Sequence, residues 1–121
     1  MPIIDIEMVL KPNETPHDNM ASVLATELGK IFKSPRGTTW VKLHTLAEGH
    51  YAENDVQHND VYPVFVKVIK SKSPDVKGIQ REANKITSVV AKICNRPSDN
   101  VHVIYEAEGK GRVAFGGRLI T

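Results

Sequence analysis

Residues 2–10 read PIIDIEMVL, and the alternation in this stretch decides how the chain begins to fold. From residue 4 onward, apolar residues stand at every second position, and two acidic residues stand between the first three of them. A period of two places one set of side chains on each face of an extended strand, so the stretch predicts a half-buried β-strand. The apolar set is Ile4, Ile6, Met8 and Leu10, and the polar set is Asp5 and Glu7.

A helix is predicted directly after this strand. Thr15 and Pro16 offer a capping hydroxyl and a proline at the first helical position, and Asp18 puts a carboxylate near the positive end of the helix dipole. Pro35 and Gly37 end the helical pattern. The inward positions, which recur with helical spacing, are Met20, Val23, Leu24, Leu28, Ile31 and Phe32.

Residues 38–46 return as a second strand, with Val41 and Leu43 on one face. The other face of that strand carries Trp40, Lys42 and His44. The first third of the chain therefore forms a strand–helix–strand unit, and a polar connector near residues 47–61 follows it.

The second half repeats this organisation. Its strand covers residues 61–69, Ser73-Pro74-Asp75 caps a helix, and residues 101–106 form the fourth strand. The inward helix positions are Val76, Ile79, Ala83, Ile86, Val90 and Ile93. Matching segments support a duplication: they are 30–35 with 92–97, 47–49 with 107–109, and Pro2 with Pro63.

We therefore predict an α/β (α+β) protein in which two tandem βαβ units form a four-stranded mixed sheet with two helices on one face. One domain spans residues 1–121, with repeats at about 2–46 and 62–106 and a carboxy-terminal segment at 107–121. The other sheet face carries apolar residues that need cover from further copies of the chain. They are Trp40, Phe65, Ile69 and Ile104.

Composition narrows the class of protein. The 121 residues are 40% hydrophobic with a net charge of +2, which fits one globular core and does not fit a nucleic-acid binder. No apolar run reaches the roughly 18 residues that span a bilayer, and the start lacks a signal peptide, so we expect a cytoplasmic protein without a membrane partner. Cys94 is the single cysteine and is interpreted as a small apolar residue on a helix.

The two ends of the chain resemble a known family. Met1-Pro2-Ile3-Ile4, together with residues 97–105 and 113–118, is similar to the tautomerase superfamily, which includes 4-oxalocrotonate tautomerase, macrophage migration inhibitory factor and malonate semialdehyde decarboxylase. This resemblance implies a homotrimer whose three sheets form a barrel, with an active site at each subunit boundary. It also implies chemistry without a cofactor.

Pro2 is the catalytic residue that the resemblance implies. Removal of Met1 exposes a secondary amine, and α-amino groups have a reference pKa of about 7.7 to 8.0, which burial and nearby cations lower. Such a base moves a proton on a small 2-oxo or 2-hydroxy-enoic acid, the reaction of a tautomerase or isomerase. The alternatives are a decarboxylase or hydratase of the same superfamily, or a non-catalytic signalling or structural member.

The substrate expected is a small anionic carbonyl compound, which requires cations near Pro2. Lys33 matches the family's carboxylate-binding lysine, and Lys70 and Lys72 lie near the position of the decarboxylase's arginine pair. His102 stands where the inhibitory factor has an active-site tyrosine, and Phe115 stands where it has a tryptophan. These five residues are the predicted substrate-binding set.

Two other patterns receive structural interpretations. His44, His50 and His58 recur with acidic residues in and near the connector, but their spacing matches no metal-ligand pattern, so we predict a solvated loop and no metal. The glycine-rich segment 109–112 lacks the remaining residues of a phosphate-binding loop. It therefore predicts a turn before the last strand.

Overall fold

A computed structural model describes residues 2–57 and 60–121 of the chain. Its elements confirm the predicted strand–helix–strand duplication. In chain order they are β1 (Ile3–Val9), α1 (Met20–Ile31), β2 (Trp40–Leu46), β3 (Val64–Ile69), α2 (Val76–Cys94), β4 (Val101–Tyr105), β5 (Ala114–Phe115) and β6 (Arg118–Leu119). None of the helices in the described part of the chain has the length and apolar character that crossing a membrane requires.

The four long strands form one mixed sheet in the order β2-β1-β3-β4. Within each repeat the two strands run parallel, and β1 runs antiparallel to β3, where the repeats meet. The predicted fold class is thereby confirmed. The carboxy-terminal segment differs in detail, since the last predicted strand is a separate two-stranded hairpin of β5 and β6.

The core lies between the sheet and the two helices. Alternate residues of β1 and β3 face the helices and are at most 1% exposed, as the period-two pattern predicts. From the helices, Leu24, Leu28, Ile86 and Val90 meet them and are fully buried. The sheet residues of this layer are Ile4, Ile6, Met8, Val64, Val66 and Val68.

The start of the first helix was predicted wrongly. Helix α1 begins at Met20, and the residue before it makes no side-chain capping bond, so Thr15 and Pro16 belong to the connection from β1. The reason is a tertiary contact. The Glu14 side chain accepts a hydrogen bond from the backbone N–H of Lys11 at 2.9 Å, and Arg96, which is distant in sequence, binds the same carboxylate. Local capping preference is a weaker effect than this long-range ion pair.

Two predicted core positions are also exposed. Val23 lies beside the buried stripe of α1 and is 38% exposed, and Val76, the first residue of α2, is 83% exposed. A first-turn side chain has no preceding turn of its own helix to pack on, which explains Val76. The cap of α2 is as predicted, because the Asp75 carboxylate accepts from the Gly78 N–H at 2.8 Å.

Arg96 joins three parts of the fold. Its side chain is 1% exposed and its guanidinium contacts both carboxylate oxygens of Glu14, at 2.6 and 2.9 Å. It also donates to the backbone carbonyls of Tyr62 at 2.7 Å and Val9 at 2.9 Å. We call Arg96 and Glu14 the clasp, because they fasten the ends of β1 and α2 to the segment that enters β3. No local pattern in the sequence predicts this pair.

The face of the sheet opposite the helices is open, as predicted. Trp40 is 50% and Ile104 is 43% exposed on this face. Its middle is charged, because Asp5 lies 3.3 Å from both Lys42 and His44 on the neighbouring strand. The face therefore combines exposed apolar side chains on the two edge strands with ion pairs between β1 and β2.

Candidate functional site

Pro2 lies at the point where the sheet ends beneath both helices. It is less than 2% exposed, and its carbonyl accepts from the Trp40 N–H at 3.1 Å. Continuing the strand registers places Thr39 beside Pro2 on the β2 side and Lys70 beside it on the β3 side. All three belong to the sheet face that meets the helices. Met1 lies outside the described residues.

Lys70 is engaged in an internal cluster on one side of Pro2. Its ammonium lies 2.8 Å from the Glu82 carboxylate of α2 and 5.1 Å from the centre of the Phe32 ring. The Tyr105 hydroxyl donates to the other oxygen of Glu82. Burial first, and this hydrogen bond second, raise the pKa of Tyr105 well above its usual range. The charge of Lys70 is therefore balanced within the chain.

Lys33 lies on the other side, where the chain leaves α1. It adopts a left-handed backbone conformation with φ +52°, in the position that glycine usually takes after a helix. The N–H of Lys33 donates to the Lys30 carbonyl, and the N–H of Ser34 donates to the Gly29 carbonyl at 2.9 Å, the two bonds of a Schellman cap. The side chain of Lys33 is exposed.

A concave region opens beside Lys33, between α1 and the start of β2. The cavity measures about 420 Å³, and Thr39, the neighbour of Pro2, forms part of its wall. Arg36 and Lys30 line it as well, so three cations surround one opening. Lys30 is paired, since its ammonium lies 2.6 Å from Glu27 without the alignment of a hydrogen bond.

The turn that carries Arg36 is held by several bonds. Thr38 donates to the Pro35 carbonyl from both its N–H and its hydroxyl, at 3.2 and 2.7 Å. Gly37 has φ +76°, which the third position of a type II turn requires. The Trp40 indole N–H donates to the Gly37 carbonyl at 3.0 Å. Arg36 therefore projects from a fixed backbone.

Phe115 also lies at this end of the molecule. Its ring meets Trp40 edge-on with centroids 5.3 Å apart. These two rings, Gly37 and Thr38 line an apolar cavity of about 240 Å³ that adjoins the basic one at Gly37. Lys72 is exposed on the loop between β3 and α2.

His102 lies at the far end of the sheet. It pairs with Phe65, which in turn pairs with Glu7, five residues along β1 from Pro2. At about 3.3 Å per residue, His102 is roughly 17 Å from Pro2 along the strands. Its ring stacks near that of Phe65, with centroids 5.6 Å apart. Within one chain, His102 and Pro2 do not form one site.

The remaining candidates from the sequence are three histidines in and near the connector and the single cysteine. His44 contacts Asp5, His50 is exposed, and His58 lies outside the described residues. Among residues 2–57 and 60–121, no group of three or more histidine, cysteine or acidic side chains is arranged to hold a metal ion. Cys94 is buried in the core, and desolvation raises the pKa of its thiol to about 11.

Sequence reasoning missed Arg36, Thr39 and Glu82 at this end of the sheet. Thr39 and Glu82 reach the neighbourhood of Pro2 only through strand register and helix packing. A signal for Arg36 was present, because Pro35-Arg36-Gly37-Thr38 has proline and glycine at positions that mark a tight turn. A cation inside such a turn is displayed in a defined direction.

Comparisons with solved structures identify the architecture. The macrophage migration inhibitory factor of Trichinella spiralis superposes with a TM-score of 0.74, at 12% identity, over 97% of this chain and 98% of that one. A fused 4-oxalocrotonate tautomerase in a symmetric trimer gives 0.78 at 12% identity, over 98% and 94%. A protein named Pt0534, inactivated by 2-oxo-3-pentynoate, gives 0.76 at 12%, over 98% and 95%.

No protein-family model and no curated protein sequence matches the chain. The likeness is therefore one of architecture, in the strand order and the duplicated βαβ unit. Nearly the whole chain takes part in each superposition. The chain has the fold of the tautomerase superfamily, as its two ends suggest.

Proposed function

We propose that the protein is a cofactor-independent tautomerase or isomerase of small 2-oxo or 2-hydroxy-enoic acids, with the amine of Pro2 as base. The observation that carries the proposal is the position of Pro2, one strand away from a cation-lined cavity that opens at Thr39. A base needs an anchored substrate within reach, and cations beside it stabilise the enolate that forms.

The proton balance of the reaction is simple. The Pro2 nitrogen takes a proton from the carbon next to the substrate carbonyl, and the electron pair moves to the carbonyl oxygen as an enolate. The protonated amine then returns a proton to oxygen or to another carbon, which gives the enol or the isomer. No electron leaves the substrate, so the reaction needs no redox partner.

The likeness to Pt0534 supports this substrate class. That protein is inactivated by 2-oxo-3-pentynoate, a small 2-oxo acid. The apolar cavity between Trp40 and Phe115 adjoins the basic one, so together they suit a compound with a carboxylate and an apolar portion.

We also propose a homotrimer. A fused 4-oxalocrotonate tautomerase of this fold is a symmetric trimer, and here Trp40 and Ile104 are exposed on an otherwise uncovered sheet face. Covering that face with other copies buries both residues. In such an assembly His102 of one chain can approach Pro2 of another.

Three forms of the protein test the function by ketonisation of phenylenolpyruvate and 2-hydroxymuconate. They are the mature protein that begins at Pro2, the Pro2→Ala variant and a form that retains Met1. Alanine keeps a primary amine and should retain partial activity, whereas Met1 turns the Pro2 nitrogen into an amide and should abolish it. Equal rates for the mature and Met1-retaining forms, with retention confirmed by mass, would exclude Pro2 as the base.

The burial of Pro2 favours one other candidate, a non-catalytic member that keeps the fold. A base must contact its substrate, and Pro2 is less than 2% exposed. Absence of ketonisation by the mature protein with both substrates would support this second candidate.

A further inference from the structure

The outer surface of α2 is positively charged along its length. Its cations are exposed and lie on the side of the helix opposite the fully buried Ile86 and Val90. With about 3.6 residues per turn and a rise of about 1.5 Å per residue, they fall within an arc of about 80° and extend over roughly 22 Å. These four residues, which we call the basic stripe, are Lys77, Arg81, Lys85 and Lys92.

No acidic side chain of α2 offsets the basic stripe. Glu82 is the one acidic residue of this helix, and its carboxylate pairs with Lys70 on the sheet side. Within residues 2–57 and 60–121, no cation of the stripe makes an ion pair. The exposed residues between the cations are the neutral Gln80, Asn84 and Ser88. The outer face of α2 therefore presents four uncompensated positive charges, whereas the whole chain has a net charge of +2.

The stripe does not help α2 to form. Lys77, Arg81 and Lys85 follow one another at intervals of four residues, and like charges at this spacing destabilise a helix. Lys77 also lies in the first turn, where the helix dipole favours an acidic side chain. Since these charges oppose the stability of the helix that carries them, we looked for a partner that they attract.

An apolar groove lies beside the stripe, between α2 and α1. The cavity measures about 420 Å³, and Lys92 belongs both to its wall and to the stripe. Val23 is 38% exposed here, and Glu27 is paired with Lys30, so the wall adds no net negative charge of its own. The residues around the groove are His17, Val23, Glu27, Val89, Lys92 and Ile93. Positive charge and a concave apolar surface are therefore adjacent.

We propose that the basic stripe and this groove bind an acidic segment of another protein, which lays carboxylates along the stripe and an apolar side chain in the groove. Lys77, Arg81 and Lys85 are separated by steps of about 6 Å along the helix axis. Acidic side chains repeat at nearly the same distance, about 6 Å at every fourth residue of a helix and about 6.6 Å at every second residue of a strand. This inference goes beyond the proposed reaction and does not depend on Pro2.

The groove favours a polypeptide over other polyanions. A nucleic acid would use the charges and leave the apolar groove empty, and α2 has no aromatic residue on which a base could stack. An anionic bilayer is flat, and the half-buried Val89 and Ile93 line a concave surface that it does not enter. A peptide can place one side chain in the groove while its backbone follows the stripe.

Fluorescence anisotropy with two fluorescein-labelled peptides tests the inference. One peptide consists of five Glu-Glu-Leu repeats, and the other of five Glu-Glu-Ser repeats, which carry the same charge without the apolar side chains. At low salt the parent protein should bind the leucine peptide about tenfold more tightly than the serine peptide, because a leucine side chain is buried in the groove. Raising the salt concentration should weaken the binding of both peptides.

Two double variants test the role of the stripe. Arg81→Gln with Lys85→Gln removes two charges from its middle and should weaken binding of the leucine peptide about fivefold or more. Lys110→Gln with Arg112→Gln removes the same charge from the exposed carboxy-terminal segment and should bind within twofold of the parent. Thermal unfolding of both variants confirms that the comparison uses folded protein.

Each result decides the inference. The assignment is wrong if the parent binds neither peptide, if the Arg81 and Lys85 double variant binds within twofold of the parent, or if the control variant loses as much. Equal affinity for the two peptides would remove the groove from the site. A DNA duplex of equal charge and vesicles of phosphatidylcholine and phosphatidylserine are measured alongside. Tighter binding of either than of the leucine peptide would overturn the choice of a protein partner.

Discussion

Arg96 and Arg36 have the same guanidinium and opposite surroundings. Arg96 is 1% exposed at the side chain and its donors reach Glu14 and the backbone carbonyls of Val9 and Tyr62. Arg36 is exposed on a turn, beside a cavity, with no acidic partner among the described residues. One arginine is fully used by the fold, and the other is left available to a ligand.

The contrast explains why charge alone identifies neither role. A buried cation is tolerated only when hydrogen bonds replace the water it has lost, so the partners of Arg96 mark it as structural. An exposed cation loses little by staying unpaired, and contributes little to stability. Arg36 is a binding candidate because it lines a cavity whose wall includes Thr39, the register neighbour of Pro2.

Breaking the clasp should have the largest effect. Arg96→Ala removes the guanidinium together with its hydrogen bonds to the Glu14 carboxylate and to the backbone carbonyls of Val9, Tyr62, Cys94 and Asn95. We expect the free energy of unfolding, measured by urea denaturation, to fall by about 3–5 kcal/mol. Arg36→Ala is the matched control and should change it by no more than about 0.5 kcal/mol. Similar losses in the two variants would refute the contrast.

Acid should weaken the same clasp. The hydrogen bond from Arg96, which is the largest influence, holds the pKa of Glu14 below its ordinary value of 4.5. A carboxyl group with a lowered folded-state pKa contributes stability above its unfolded pKa, and that contribution is lost as the pH falls through the folded value.

Urea denaturation at several pH values tests this expectation. Between pH 6 and pH 3, the parent should lose at least about 1 kcal/mol more unfolding free energy than Glu14→Gln, the scale of one charged hydrogen bond. The glutamine side chain of this variant keeps the shape of glutamate and does not titrate, so the variant serves as the control. If the unfolding free energies of the two proteins fall in parallel with pH, titration of Glu14 does not weaken the clasp.

The smallest change in stability is expected at Lys33, which, like Arg36, makes no ion pair with another described residue. Lys33→Gly relieves the left-handed strain at φ +52° but adds freedom to the unfolded chain, so stability should stay within about 1 kcal/mol of the parent. Because Lys33 is the predicted carboxylate-binding residue, the KM of the mature protein for phenylenolpyruvate should nevertheless rise severalfold. An unchanged KM together with unchanged stability would remove Lys33 from the predicted substrate-binding set.

Much of the fold could be predicted from local patterns. The period of two predicts the buried face of β1, and Ser73-Pro74-Asp75 predicts the start of α2. Both predictions succeed because a strand face and a helix cap depend on residues close in sequence. The start of α1 could not be predicted the same way. Glu14 is held by a residue 82 positions away, and no local preference contains that information.

The same division applies to the candidate site. The sequence by itself determined the two βαβ units and the open sheet face, since both follow from periodicity. The candidate role of Pro2 came from the resemblance of the two chain ends to the tautomerase superfamily. Only the tertiary structure decided which cations are free. Lys70 is balanced by Glu82 across a helix–sheet contact, whereas strand register places Thr39 beside Pro2 and Arg36 lines the cavity that Thr39 borders. Both arrangements depend on contacts between residues distant in the chain.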